Sequence, residues 1–150
     1  MPSQMYPIFN IRVYGILINN RSEVLVTDEF RFGKEMTKFP GGGLHFGEGT
    51  IDCLKREFRE ELNCEIEIIK HFYTTDFFQQ SAFHKDHQLI SIYYLVKGNI
   101  SAIKRENKKT DLKTEGEQTF RWVPLASISE NDFTFPIDKK IAGMLRHYKA

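Results

Sequence analysis

Three glutamates, Glu57, Glu60 and Glu61, fall within five residues of one another in the stretch FPGGGLHFGEGTIDCLKREFREELNC, Phe39 to Cys64. On a helix, residues four apart are neighbours, so Glu57 and Glu61 would repel by about 0.2–0.5 kcal/mol. At least one of three carboxyls crowded in this way is expected to hold its proton toward neutral pH. A hard divalent cation relieves that repulsion. Mg²⁺ or Mn²⁺ takes carboxylate oxygens and keeps its other coordination positions for water or phosphate. The glycines Gly41, Gly42 and Gly43 precede the glutamates and allow close backbone approach, so a carbonyl can join a metal and amides can meet phosphate. The residue types therefore point to metal-assisted hydrolysis of a phosphoryl compound, with a carboxylate activating water. The plain alternative is a solvated, glutamate-rich helix face.

These side chains need an element to present them. Thr50 to Leu62 has helical periodicity, with Thr50 as the expected N-cap and Asp52 in the first turn. At roughly 100° per residue, Ile51, Leu54, Phe58 and Leu62 form an apolar stripe, and the glutamates occupy the adjoining arc. Asn63 stands where a helix often ends in the left-handed conformation. Upstream, Ile8–Asn19 and Glu23–Glu29 read as strands joined by an Asn-rich turn, with Val24 and Val26 on one face. Arg31–Lys34 reads as a polar loop and Lys38–Phe39 as a short strand. Downstream, Cys64–Asp76, His87–Lys97 and Thr119–Val123 read as strands, and Gly98–Glu117 as an exposed loop. Leu125–Ser129 reads as a helical turn, and Ile137–Tyr148 as a closing helix that Pro136 starts. The order β-β-β-α-β-β-β-α argues for an α/β (α+β) fold with helices packed around a mixed sheet.

The spacing resembles the Nudix box, G-x5-E-x7-R-E-U-x-E-E-x-G-U, where U is apolar. The matching residues are Gly42, Glu48, Arg56, Glu57, Phe58, Glu60 and Glu61, with Asn63 in place of the last glycine and Cys64 at the final apolar position. His45 stands where many members carry a further glutamate. The resemblance implies a Nudix hydrolase with an α/β/α sandwich fold, cleaving a nucleoside diphosphate linked to another group X. It implies that Glu57, Glu60 and Glu61, with the Gly41 carbonyl, hold Mg²⁺ or Mn²⁺, and that Arg56 orients a glutamate. Glu48 would tie the loop to the helix. The general base would be a box glutamate or one from a later loop, either Glu115 or Glu117, with Glu117 preferred. A Nudix-like domain that binds or senses nucleotides without turnover is the alternative in another class. An unrelated chain with an acidic helix is a third.

The remaining composition sets limits. A chain of 150 residues suits one domain, and a net charge of +1 gives no field for duplex nucleic acid or an anionic membrane. No apolar run reaches the ~20 residues of a membrane helix, and Met1–Asn10 lacks the pattern of a signal peptide. Cys53 and Cys64 have neither metal-type spacing nor a disulfide pattern, which suits a reducing, cytoplasmic setting. The expected partner is a small nucleotide, and a homodimer is left open. Phe30, Phe32, Phe77 and Phe78 are candidates to stack a nucleobase, and Arg12 and Arg31 to pair with phosphate. For each, core packing or plain solvation is the competing reading. The same holds for His84 and His87 as ligands or proton donors. Lys104, Lys108, Lys109 and Lys113 read as solvating a loop.

Overall fold

A computed structural model describes residues 6–103, 106 and 108–148. Lys104 lies outside them. The strands are β1 (Ile8–Leu17), β2 (Glu23–Arg31), β3 (Lys34–Lys38), β4 (Gly41–Gly43), β5 (Ile66–Thr74), β6 (His87–Gly98) and β7 (Gln118–Pro124). The helices are α1 (Thr50–Leu62) and α2 (Pro136–Leu145). The mixed sheet is realised as two units. One has the order β4-β1-β6-β5 with β1 and β6 parallel, and the other is the antiparallel β3-β2-β7. The bridge between Ile18 and Val24 joins them.

Strand alternation explains why both faces are covered. Successive side chains point to opposite sides, so β1 sends Val13 and Leu17 toward α1 but Tyr14 and Ile16 toward α2. In β2, Leu25 joins the α1 side while Val24 and Val26 join the α2 side. β6 and β7 divide likewise, with Val96 and Trp122 beneath α1 and Leu95 and Val123 beneath α2. The result is a helix on each face of the strands.

Several expectations need correction. Arg31–Lys34 is no loop: Phe32 and Gly33, both at positive φ, form a two-residue turn joining β2 to β3. The glycines 41–43 form a strand, β4, because without side chains they can lie directly against β1. A Cβ on Gly41 would run into the Val13 carbonyl. Gly98–Glu117 is only partly exposed, since Ile103 and Leu112 are buried and the Trp122 N–H donates to the Glu106 carbonyl at 2.8 Å. The turn expected at Leu125–Ser129 is present but shorter, over residues 125–127, with the Ser127 N–H donating to the Pro124 carbonyl at 3.1 Å, and a separate 3-10 turn follows at Glu130–Asp132, which Ser129 caps.

α1 has the expected limits, and Asn63 ends it in the left-handed conformation (φ 49°, ψ 40°), with the Cys64 N–H donating to the Phe58 carbonyl. Its start differs. Gly49 is the N-cap, and the Thr50 hydroxyl instead meets the Tyr94 hydroxyl at 2.7 Å. Its buried residues are Cys53, Leu54 and Phe58, whereas Ile51 is 40% exposed. Phe58 reaches the strands because β1 carries Gly15 beneath it: a Cβ there would lie 2.7 Å from the ring. Gly15→Ala is therefore expected to lower stability by about 1–3 kcal/mol through overpacking. Pairing it with Phe58→Leu should recover part of the loss, as measured by urea unfolding. Independent, additive losses would rule out this contact as the limit on helix docking.

Candidate active site

The site is built outward from Arg56. Its Nε donates to Glu48 Oε2 at 3.0 Å and one terminal nitrogen to Glu48 Oε1 at 2.7 Å, a two-pronged ion pair. The other terminal nitrogen lies 3.0 Å from Glu57 Oε1 and 3.2 Å from Glu60 Oε2. Arg56 also donates to the Gly43 carbonyl at 3.1 Å, which ties α1 to β4. Glu48 in turn accepts from the His45 N–H at 2.9 Å and closes the loop before the helix. Hydrogen bonds from Arg56 and then from the His45 amide hold the Glu48 carboxyl down at about 2. His45 itself is exposed and takes part through its backbone.

Glu57 lies against Gly42, where a Cβ would overlap its carboxylate. Glu60 is more open, with its side chain 58% exposed. Glu61 is pushed up to about 7, first by burial and then by the charges of Glu57 and Glu29, against the pull of Lys38 and a hydrogen bond from Gln118. The crowding read from the sequence is thus physically present. Glu29, which no motif in the sequence marks, joins this group. It is buried, its side chain accepts from Gln118 Nε2 at 2.8 Å, and it lies 2.9 Å from Lys38 Nζ. Its signal was available: it shares the face of β2 with Leu25 and Thr27, an odd position for a carboxylate.

Glu117 is not brought into this group. Its carboxylate accepts from the Thr114 N–H at 2.6 Å and the Lys113 N–H at 3.3 Å, and the Thr114 side chain, followed by these amides, holds it below its ordinary range. Glu115 serves the β2–β3 turn, accepting from the N–H groups of Phe32 at 2.8 Å and Gly33 at 3.3 Å. Cys53 lies beneath the loop with its thiol pushed up to about 12, chiefly by burial, and is inert at neutral pH.

The donor set of Glu57, Glu60 and Glu61 consists of hard carboxylate oxygens, which suits Mg²⁺ or Mn²⁺, and a cation would relieve the part of the Glu61 shift that comes, after burial, from the charges of Glu57 and Glu29. Among the described residues no three such groups are already gathered into a coordination shell, and Arg56 pairs with one oxygen each of Glu57 and Glu60.

Beside this acidic face opens a cavity of about 310 Å³ between β1, β6, the β2–β3 turn and the start of α2. Arg12, Glu29 and Lys38 line it, and each of them also acts electrostatically on Glu57 or Glu61. The Arg12 Nε donates to the Tyr14 hydroxyl at 2.7 Å. Deeper in, the Tyr93 hydroxyl donates to Asp138 Oδ1 at 2.6 Å, and burial pushes the Asp138 carboxyl up to about 6. Asp138 drew no notice in the sequence, where it was simply an acid in the first turn of a helix. Of the four phenylalanines singled out for stacking, Phe32 alone lines the cavity. Arg12, Arg31 and His84 line it too, while His87 begins β6 with its ring 4.6 Å from that of His84. Glu61 also lines a second hollow, of about 400 Å³, with Leu62, Glu106 and Phe120.

The Nudix domain family matches residues 9–144. The chain belongs to the Nudix family. Solved structures agree on the fold. A Nudix hydrolase from Nitrosomonas europaea superposes with a TM-score of 0.67 at 15% identity, covering 93% of this chain and 89% of that one. The MutT protein from Methanosarcina mazei gives 0.66 at 18%, covering 96% of each chain. A MutT Nudix hydrolase from Burkholderia pseudomallei gives 0.64 at 15%, covering 95% of this chain and 99% of that one. No curated protein sequence matches the chain. The two-helix, two-sheet architecture is that of the Nudix hydrolases. Among the described residues, no helix is long and apolar enough to cross a membrane.

Glu61 makes the folded state hold a proton that the unfolded chain releases near the ordinary value of 4.5. Its contribution favours folding most at pH below about 4.5 and is lost as pH rises through 7. Glu61→Gln is therefore expected to stabilise the metal-free protein by about 1–2 kcal/mol at pH 8, with the gain shrinking toward pH 5. Urea unfolding at the two pH values measures this, and a gain that does not change with pH would remove Glu61 as its source.

Proposed function

We infer that this chain hydrolyses a nucleoside diphosphate linked to a second group, using Mg²⁺ or Mn²⁺. One observation carries the reading: a helix face of carboxylates, organised by Arg56, adjoins a cavity through the cationic residues Arg12 and Lys38. Nudix membership and fold support a hydrolase acting on a small nucleotide. In this reading Glu57, Glu60 and Glu61 hold the cation together with the Gly41 carbonyl. When bound, the cation supplies Lewis acidity to the diphosphate oxygens. Arg56 keeps Glu57 and Glu60 from splaying apart, and Gly42 leaves room for the Glu57 carboxylate. The nucleoside portion lies in the cavity, so its phosphates pass Arg12 and Lys38 on the way to α1. The water is activated by a carboxylate of the α1 face. Glu117 can act as base only if its turn opens, because two amides now hold its carboxylate. The two buried free thiols fit a reducing cytoplasm.

A panel of nucleoside triphosphates, nucleotide sugars and ADP-ribose, assayed with Mg²⁺ and a coupled phosphatase, tests the reading. Turnover of at least one compound is expected, falling by roughly 10²–10⁴-fold in Glu57→Gln and Glu61→Gln. Glu117→Gln should retain most of the activity. Absence of turnover across the panel would reject the enzyme. Full activity in both box variants would reject the site.

Gly42→Ala provides a separate geometric check. Its methyl group would displace the Glu57 carboxylate, so activity is expected to drop at least tenfold while circular dichroism stays native. Undiminished turnover would show that the placement of Glu57 on Gly42 is irrelevant to the reaction.

A further inference from the structure

The β2–β3 turn is built against the preference of its own sequence. Phe32 and Gly33 both have positive φ, 53° and 73°, between the paired residues Arg31 and Lys34. A two-residue hairpin of this kind favours Asn-Gly, whose first residue tolerates the left-handed region, whereas phenylalanine is disfavoured there. Nor does burial account for Phe32, which is 62% exposed. Two other contacts hold it. The Glu115 carboxylate spans the turn, one oxygen accepting from the Phe32 N–H and the other from the Gly33 N–H. The Phe32 ring stacks on Phe83 at 4.6 Å between centroids and 30° between planes. Phe83 in turn meets the edge of Phe135 at 6.0 Å.

All three rings line the cavity described above, and its polar groups include the Asp138–Tyr93 pair. Aromatic walls beside a hydrogen-bonding pair suit a planar heterocycle, which has apolar faces and a polar edge. A phosphate has no use for the walls. An exposed aromatic ring kept at unfavourable φ on the rim of a cavity has the character of strain retained at a functional site.

We propose that Phe32 is the specificity-determining residue that stacks the planar heterocycle of the ligand in this cavity, and that Glu115 is the positioning residue that holds it there. This rests on the nucleotide reading above and assigns the side chains that would select the base. It also gives the segment before β7, remote in sequence from the glycines and glutamates, a part in the choice of ligand, because the Glu115 carboxylate grips the turn that carries the Phe32 ring.

Calorimetric titration of the full chain in Mg²⁺ tests the proposal, with AMP, GMP, CMP and UMP as heterocyclic probes and inorganic pyrophosphate as the probe without a base. At least one nucleotide is expected to bind, and Phe32→Asn to weaken it by about tenfold or more. Pyrophosphate binding should stay within twofold. Asn-Gly is the preferred turn sequence, so the variant should unfold at no lower urea concentration than the original, which separates lost stacking from lost folding. Phe32→Tyr should bind as the original does. Glu115→Ala should weaken the nucleotide several-fold and leave pyrophosphate unchanged.

The proposal is overturned if no nucleotide binds, if Phe32→Asn binds as tightly as the original, or if pyrophosphate and nucleotide weaken equally. Unchanged nucleotide binding in Glu115→Ala overturns its positioning role. If nucleotides bind and weaken as expected but none of the panel compounds is hydrolysed, the stacking site stands and the hydrolase reading falls.

Discussion

A single guanidinium holds together what like charges would drive apart. Arg56 reaches Glu48, Glu57, Glu60 and the Gly43 carbonyl, so one side chain joins the pre-helix loop, the carboxylate face of α1 and strand β4. Arginine suits the task because its donors lie in a rigid plane and its charge is permanent. A lysine could satisfy one carboxylate at a time, as a point charge. Glu61 lies beyond the reach of these hydrogen bonds, and burial, followed by the charges of Glu57 and Glu29, raises its proton affinity. The electrostatics of the site are therefore divided: Arg56 pairs with Glu57 and Glu60, whereas Lys38 and Gln118 only partly offset the burial and repulsion at Glu61.

That arrangement depends on where α1 sits. The helix is anchored by Cys53, Leu54 and Phe58 on one side of the strands, and Gly15 sets how closely Phe58 can approach. α2 occupies the opposite face through Ile137, Ile141 and Leu145, and its first turn delivers Asp138 to the cavity. The alternation of β1 serves both, because adjacent residues belong to different halves of the core. A shift of one residue in the pairing of β1 with β4 would exchange the two faces. The glycines of β4 make the correct pairing possible, being small enough both for contact with β1 and for Glu57.

The cavity carries its own opposition between aromatic rim and charged interior. Phe32, Phe83 and Phe135 line the wall that α2 and the β2–β3 turn share, and Arg12, Lys38 and Glu29 lie toward the acidic helix. Glu29 belongs to both regions. It pairs with Lys38 in the cavity and raises the proton affinity of Glu61 on the helix. This carboxylate makes the two regions one electrostatic unit.

The local parts of this organisation were legible in the chain itself. The i,i+4 relation of Arg56 to Glu60, the apolar anchors Leu54 and Phe58, the limits of α1 and the left-handed end at Asn63 all depend on contacts within a few residues, and short-range periodicity records such contacts. Fixed spacing likewise made the box recognisable, and with it the family. Ile51 and Thr50 depart from the helical-wheel pattern because a wheel has no neighbours: only the packed strands decide that Ile51 faces water and that Thr50 meets Tyr94. The bond from Gln118 to Glu29, the bond from the Phe32 amide to Glu115 and the bond from Tyr93 to Asp138 join residues 89, 83 and 45 apart. No local pattern encodes such pairings. Short-range spacing specifies a carboxylate helix and marks its family. Which distant side chains surround that helix depends on the packed fold, because a cavity exists only once separate strands and helices have been brought together.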